Sequence, residues 1–459
     1  MEAKTKARLA MGAFLTVCMV PSVGMLAVPE QSAAANQQLS PPPALVNEDG
    51  SFNREVLQDT ADYIADHFAF RQELITADAV LNAKVFQVSA EEDVVLGRDG
   101  WLFYAETVDG HLRTAPLSDR RLWAGAHTLA LVREYVQNQG AELLFTAAPN
   151  KATIYPEYLP YVGTPLSSSS DLDRLVPLLE AEAVPYADLR ESLQGQSVFL
   201  YYRQDSHWNT LGAALAQQTL LQTLGKHFKP FWLSHAQVVT DSHLGDLYEM
   251  VYPTGTELDW DAVYDREFAF THIRQPRGPD DQRIETENPS KTGSLLMFRD
   301  SFGNALYPFM AEEFSQALFS RSMPWQLNLL EQTGADTVVI ELVERNLAYL
   351  TAYAPMLPAP KRLLTGSPPQ GQGGAQCAVS DSYPLEGFVR LEGWISDADT
   401  NSPIYVQLGT ALYEASPAGS GWDKGIPFTL YVPQSISREN MSVLCLQQGV
   451  LCALPLGNL

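Results

Sequence analysis

Cysteine is scarce in this chain, with four in 459 residues at positions 18, 377, 445 and 452. None belongs to a C-x-x-C pair, so the usual zinc sites are excluded, and no metal or cofactor is expected. Cys377, Cys445 and Cys452 leave room for one disulfide and one spare thiol in an exported protein. Positive charge is also in short supply: 30 Lys and Arg stand against 54 Asp and Glu, a net charge of −24. Nothing in that balance neutralises phosphates, which excludes nucleic acid as a partner. Hydrophobic residues make up 46% and charged residues 18%, the composition of a chain with a sizeable core. At this length two or three folded units are expected.

Long apolar runs are missing too, except for one. Lys4, Lys6 and Arg8 precede an uncharged stretch from Leu9 to Val28, and Ser32-Ala33-Ala34-Ala35 follows. A basic start, an apolar stretch and small residues read as an export signal over 1–35. An uncleaved membrane anchor is the alternative, although Pro21 sits in the middle of the stretch. Val17 before Cys18 is too large for a lipoprotein box. Both readings put the folded body outside the cytoplasm, in the extracellular space or at the cell surface.

Residues 36–52, rich in Gln, Pro, Asn and Ser, read as a tether. Helical apolar spacing then runs from Asn53 to Phe86. Val94–Gly97 and Trp101–Tyr104 bracket Arg98-Asp99-Gly100 as a hairpin. Beyond it the pattern alternates. Helical spacing at Asp119–Gln139, Asp171–Ala181, from Asn209 and at Ala305–Phe314 is interleaved with apolar strands at Leu143–Thr146, Val184–Tyr186, Ser294–Phe298 and Thr337–Leu342. That alternation predicts an α/β fold, a mainly parallel sheet covered on both faces, over 53–364. Residues 365–376 are rich in Gly, Pro and Gln and read as a linker. The short strand candidates of 377–459 then predict a small β-sandwich or barrel.

Three βα junctions hold the candidate chemistry. Asp205 and His207 flank Ser206 in an extended segment and so point to one side, where a carboxylate can orient an imidazole. Taken alone, the pair could equally belong to a helix-capping loop. Ser301 lies between an apolar strand and a helix, where a hydroxyl beside a base becomes a nucleophile and helix-start N–H groups can hold an oxyanion. Serine in that place is also a common N-cap. Asn150 and Lys151 close another strand and offer donors to a substrate oxygen, or simply form a Pro-Asn turn. Trp208 is a candidate to line a sugar cleft or to pack. His243 is a candidate to approach the cleft or, more simply, a loop residue.

These residues resemble the SGNH-hydrolase-like domain of the AlgX/AlgJ alginate O-acetyltransferase group, and still more the related Firmicute DHHW proteins. The likeness runs over about 55–350. It includes Asp66-His67-Phe68-Ala69-Phe70-Arg71, Leu96 to Tyr104, Pro149 to Pro156, Asp205-Ser206-His207-Trp208, Arg299-Asp300-Ser301-Phe302 and Tyr307-Pro308-Phe309. Ser206 stands where the DHHW name has histidine, and Arg299 where many SGNH enzymes have glycine. The resemblance implies a three-layer αβα sandwich with Ser301 as nucleophile, His207 as base and Asp205 as its orienter. It implies O-acetyl transfer to a cell-surface or secreted polysaccharide, with a membrane-bound acyltransferase as acetyl donor. The 377–459 unit would then hold glycan. A carbohydrate esterase with the same three residues, and a non-catalytic glycan-binding surface protein, are the alternatives.

Overall fold

A computed structural model describes residues 39–47, 49–228, 236–264, 266–364, 366–380, 385–437 and 441–456, with scattered residues before 25. The export signal of 1–35 lies largely outside the described residues. Among those described, no helix is long and apolar enough to cross a membrane.

The predicted run from Asn53 to Phe86 is two helices, α1 (Val56–His67) and α2 (Arg71–Leu81), continued by a π turn. The break falls at Phe68–Phe70, where Phe70 takes a left-handed φ of 64°. The predicted hairpin pairs β1 (Val94–Leu96) with β2 (Leu102–Tyr104).

The main body is built on a seven-stranded sheet. In chain order its strands are β3 (Glu142–Ala148), β4 (Tyr186–Asp188), β7 (Thr271–His272), β8 (Arg283–Glu287), β9 (Ser294–Phe298), β10 (Gln316–Ser320) and β11 (Thr337–Val343). Between β4 and β7 in sequence, a separate ribbon pairs β5 (Ala236–His243) with β6 (Asp259–Tyr264). The spatial order of the sheet is β4-β3-β11-β9-β10-β8-β7. The first five strands are parallel, and β8 and β7 add antiparallel at one edge. Side chains alternate between faces with a period of two. Leu144, Met297, Phe319 and Val339 therefore pack against α5 (Thr210–Thr223) and α7 (Gly303–Ala311). Leu143, Phe145, Leu296, Phe298, Val338 and Ile340 pack against α3 (Asp119–Asn138) and α4 (Asp171–Ala181). Because both faces are covered, the centres of these strands are apolar on both sides, which is why they read as short apolar runs. Each fully buried side chain of this size stabilises the fold by about 1.5–3 kcal/mol. Asn209 caps α5 by accepting from Gly212 N–H, and Ser170 with Asp173 forms a capping box on α4. α6 (Asp246–Val251) follows β5.

The C-terminal unit is a two-sheet sandwich. Its strands are β12 (Lys361–Arg362), β13 (Ala375–Ser380), β14 (Phe388–Ile395), β15 (Ile404–Leu408), β16 (Ala411–Ala415), β17 (Ile426–Pro433), β18 (Ser442–Gln447) and β19 (Val450–Leu454). One sheet is β12-β16-β15-β18-β19 and the other β13-β14-β17. The boundary differs from the predicted one: Lys361–Arg362, placed with the α/β body, pairs with β16, and β13 begins inside the predicted linker. The disulfide for which the sequence left room does not form among the three cysteines of this unit. Cys377, Cys445 and Cys452 are free and buried, with Cys445 and Cys452 facing one another across β18 and β19.

Candidate active site

β9 and β11 end side by side at the carboxyl edge of the sheet, and the turn that leaves β9 carries Ser301. Asp300 fastens that turn. Its carboxylate accepts from Phe302 N–H at 2.9 Å and from Val343 N–H at 2.7 Å, tying the β9 turn to the end of β11. The Asp205–His207 segment closes over this edge just before α5, and Tyr201 and Trp208 form a bridge across it.

Here the three residues meet. His207 Nδ1 lies 2.7 Å from Asp205 Oδ1, and His207 Nε2 lies 2.8 Å from Ser301 Oγ. A proton on Nδ1 is held by the carboxylate, which leaves the Nε2 lone pair to accept from the Ser301 hydroxyl. Burial pushes the His207 imidazolium down, but its hydrogen bond to Asp205 and the charges of Asp205 and Asp246 outweigh that and raise it above 6.5. Burial likewise opposes ionisation of Asp205, yet hydrogen bonds from His207 and His243 hold it well below the usual carboxylate range.

Other sequence candidates sit elsewhere than expected. Lys151 is turned inward. It is fully enclosed, and its ammonium donates to the carbonyls of Tyr202, Arg203 and Asp205 at 3.2, 3.0 and 2.6 Å. Trp208 lines no cleft: it is wholly buried, its indole N–H donates to Phe302 O at 3.0 Å, and its ring stands edge-on to Phe302. Its place is beneath the serine turn, holding it from behind. Arg299 is buried, its guanidinium occupied by Asn304 Oδ1 and the carbonyls of Pro279 and Asp281. A Cβ at Gly303 would stand 2.5 Å from Arg299 Cβ, so this arginine needs that glycine. Asn150 keeps its candidacy. It is buried, its N–H donates to Glu344 at 2.9 Å, and its Oδ1 has no hydrogen-bond partner. It lines a cavity of about 560 Å³ together with Thr153, Glu344 and Arg345. Ser301 is not among the lining residues. The cavity adjoins the site through Arg345, whose guanidinium stands 5.5 Å from the Phe302 ring.

Sequence reasoning missed the second layer. His243, for which the loop role was the simpler of two readings, approaches the site and places Nε2 at 2.8 Å from Asp205 Oδ2. Asp246 lies 3.5 Å from His207 Nδ1 and accepts from the Ser206 hydroxyl at 2.6 Å. The fragment Asp241-Ser242-His243-Leu244-Gly245-Asp246 was visible in the sequence. Nothing in its spacing shows that it folds back onto a segment 38 residues earlier. Asp205, His207 and Asp246 bring potential ligand atoms within 4.8 Å of one another. Those atoms are engaged with one another and with Ser206, so the group reads as a hydrogen-bond network rather than a cation site.

Residues 94–277 match the family described as SGNH hydrolase-like domain, acetyltransferase AlgX. The chain is 28% identical over 229 residues to a "Probable alginate O-acetylase AlgJ" of Pseudomonas fluorescens, covering 46% of this chain and 54% of that protein. It is 32% identical over 148 residues to the protein of the same name from Pseudomonas syringae pv. tomato, covering 31% and 36%. The chain thus spans about half, or less, of the relatives it matches. Among solved structures, the O-acetyltransferase domain of Pseudomonas putida AlgJ aligns at a TM-score of 0.39 and 20% identity, covering 56% of this chain and 92% of that one. Bacillus cereus PatB1 with a sulfonyl adduct aligns at 0.43 and 16%, covering 56% and 98%. Across residues 94–277, then, the chain is similar to the SGNH hydrolase-like domain of the AlgX and AlgJ group, the likeness its motifs carry.

Proposed function

We propose that the chain transfers an acetyl group to a hydroxyl of a polysaccharide outside the cytoplasm. In this reading Ser301 is the nucleophile, His207 the general base and Asp205 its orienter. The observation that carries it is the His207 ring bridging Asp205 and Ser301 at 2.7 and 2.8 Å. The names of the relatives, probable alginate O-acetylases, support acetyl as the group and a polysaccharide as acceptor.

His207 Nε2 takes the proton of Ser301 Oγ as the oxygen attacks the acetyl carbonyl of the donor. The tetrahedral intermediate collapses, His207 passes that proton to the leaving group, and Ser301 carries the acetyl ester. A sugar hydroxyl then enters, gives its proton to His207 and attacks the ester carbonyl. The acetylated sugar leaves as the proton returns to Ser301 Oγ. A membrane-bound acyltransferase would supply the acetyl group, and export with or without an N-terminal anchor would bring the chain to it. The C-terminal sandwich would hold glycan. A cavity of about 370 Å³, lined among others by Trp394, Glu392, Asp423 and Lys424, supports that role.

Acetyl release and transfer from a chromogenic acetyl ester, with and without an oligosaccharide acceptor, tests the reading. The parent should acetylate the acceptor, and Ser301→Ala should lose at least about 10³-fold in kcat/KM. Release that is independent of acceptor would make the chain an esterase. A Ser301→Ala variant as active as the parent would sink the mechanism altogether.

A further inference from the structure

Asp205 faces two imidazoles, and the catalytic reading uses only one. Its Oδ1 holds His207, while its Oδ2 receives His243 Nε2 at 2.8 Å and the backbone N–H of Asp246 at 3.1 Å. The placement of His243 is built into the fold. It closes β5 opposite Asp259 of β6, beyond a register shift that begins at Asp241. Such a bulge re-aims the side chain next to it. The ring then lies flat on Tyr202, centroids 3.8 Å apart and planes 17° apart, and the Tyr202 hydroxyl is tied to Asp261 at 2.7 Å. His243 thus has a fixed shelf on one side and the far oxygen of the orienting carboxylate on the other. Its side chain is 32% exposed, so it exchanges protons with solvent.

We propose that His243 is a positioning residue for this site, acting through Asp205: it fixes the carboxylate's rotation and tunes how strongly Asp205 holds the His207 imidazole. The inference rests on the proposed Ser301 chemistry, although the contact itself does not. The Asp246 N–H on Oδ2, at 3.1 Å, and the His207 backbone N–H on Oδ1, at 2.8 Å, also hold this carboxylate. His243 makes the shorter bond on Oδ2, so without it that oxygen is held more loosely and the Nδ1 bond of His207 is aimed less firmly. Charge matters as well. An imidazolium at His243 draws on the same carboxylate that stabilises His207, so each proton on His243 makes His207 a weaker base. The groups facing His243 are Asp205, Asp246 from α6, Asp261 from β6 and the ring of Tyr202. Lys151 acts on Asp205 from behind, and Arg345 acts on His207. Burial pushes the His243 imidazolium down, but the hydrogen bond to Asp205 and the surrounding carboxylates outweigh it and raise it above 6.5.

Two variants of the full chain test this, His243→Ala and His243→Gln, with two readouts. One is the titration of the His207 ring followed by NMR, which needs no substrate. The other is the pH dependence of kcat and KM on a chromogenic acetyl ester. Removing His243 takes its charge and its hydrogen bond off Asp205. Both variants should therefore raise the His207 midpoint by about half a pH unit or more and carry the acid limb of kcat/KM with it. His243→Ala should lose about tenfold in kcat with KM nearly unchanged. The glutamine amide can still donate to Oδ2, so His243→Gln should recover most of that kcat while keeping the displaced midpoint. If His243→Ala does not fold, His243→Gln decides alone. An unmoved His207 midpoint in a folded variant overturns the proposal and leaves His243 a packing residue. If the parent shows no Ser301-dependent turnover, the functional reading fails, and the NMR titration still decides whether His243 acts on His207.

Discussion

One ammonium holds the loop that carries Asp205 and His207. Lys151 donates to three carbonyls of residues 202–205, of which Arg203 O also accepts from Leu102 N–H at 2.8 Å. Replacing it by methionine keeps the length and removes all three bonds, so Lys151→Met should destabilise the chain by about 2–4 kcal/mol and lower kcat at least tenfold. Chemical denaturation and ester turnover check both. Lys151 also shapes the pH profile. Burial pushes its ammonium down to about 8, with Asp205, Asp246 and Asp259 pulling it back. His207, raised above 6.5, serves as a base only once it has lost its proton. The proposed activity should therefore rise with pH through the His207 value and fall above about 8 as Lys151 loses a donor. A profile flat to pH 9.5 would contradict the role given to Lys151. The sequence put Lys151 at a strand end near the chemistry, and that much was legible. Its direction was not, because the carbonyls it serves return to it only 51–54 residues later.

At the scale of elements, α3 joins the two folded units. Arg120 donates to the carbonyls of Asp399, Thr400 and Ser402 in the C-terminal sandwich. Two turns further on, His127 lies between Glu182 at 3.1 Å and Glu414 of β16 at 3.0 Å, and Arg362 of β12 bridges Glu414 to Glu134. His127→Leu would leave buried Glu414 with Arg362 as its cation and half-buried Glu182 without its partner, at a cost of about 1–2 kcal/mol. The contribution depends on pH. Despite burial, the bonds to Glu182 and Glu414 raise His127 above its ordinary 6.5. Its stabilisation is therefore complete below about 6.5 and lost as pH rises through the raised value. Glu182, by its bond to His127, and Glu414, against its burial, are both held below 4.5. Their contribution is complete above about 4.5 and lost as pH falls through the lowered values. Thermal midpoints of parent and His127→Leu should thus differ most between about pH 4.5 and 6.5 and converge on either side. A difference independent of pH would show that His127 contributes packing alone. The sequence revealed the elements themselves unevenly. Strands buried on both faces, such as β9 and β11, are apolar runs and were plain. β8, Arg-Ile-Glu-Thr-Glu, buries only Ile284 and Thr286 at the sheet's antiparallel edge, so its pattern gave too little signal.

Across the whole molecule, the succession of an α/β body and an all-β unit was legible from the change of pattern after residue 364. The way they meet was not, since Arg120, His127 and Arg362 look like ordinary residues of the α/β body until Glu414 and the 399–402 turn arrive beside them. The net charge of −24 belongs to this scale too, and it bears on the acceptor. A surface of that sign repels a polyuronate over distances comparable to the Debye length, about 30 Å at 0.01 M salt and about 8 Å at 0.15 M. A neutral oligosaccharide feels no such field. If the proposed transfer takes place, kcat/KM for a polyuronate acceptor should rise severalfold between these two salt concentrations, while that for a neutral acceptor should change little. Transfer assays at matched pH with the two acceptors measure this directly. A polyuronate rate that falls with added salt would mean that a local basic path, with Arg113 and Arg345 at the 560 Å³ cavity the first residues to examine, overrides the charge of the whole.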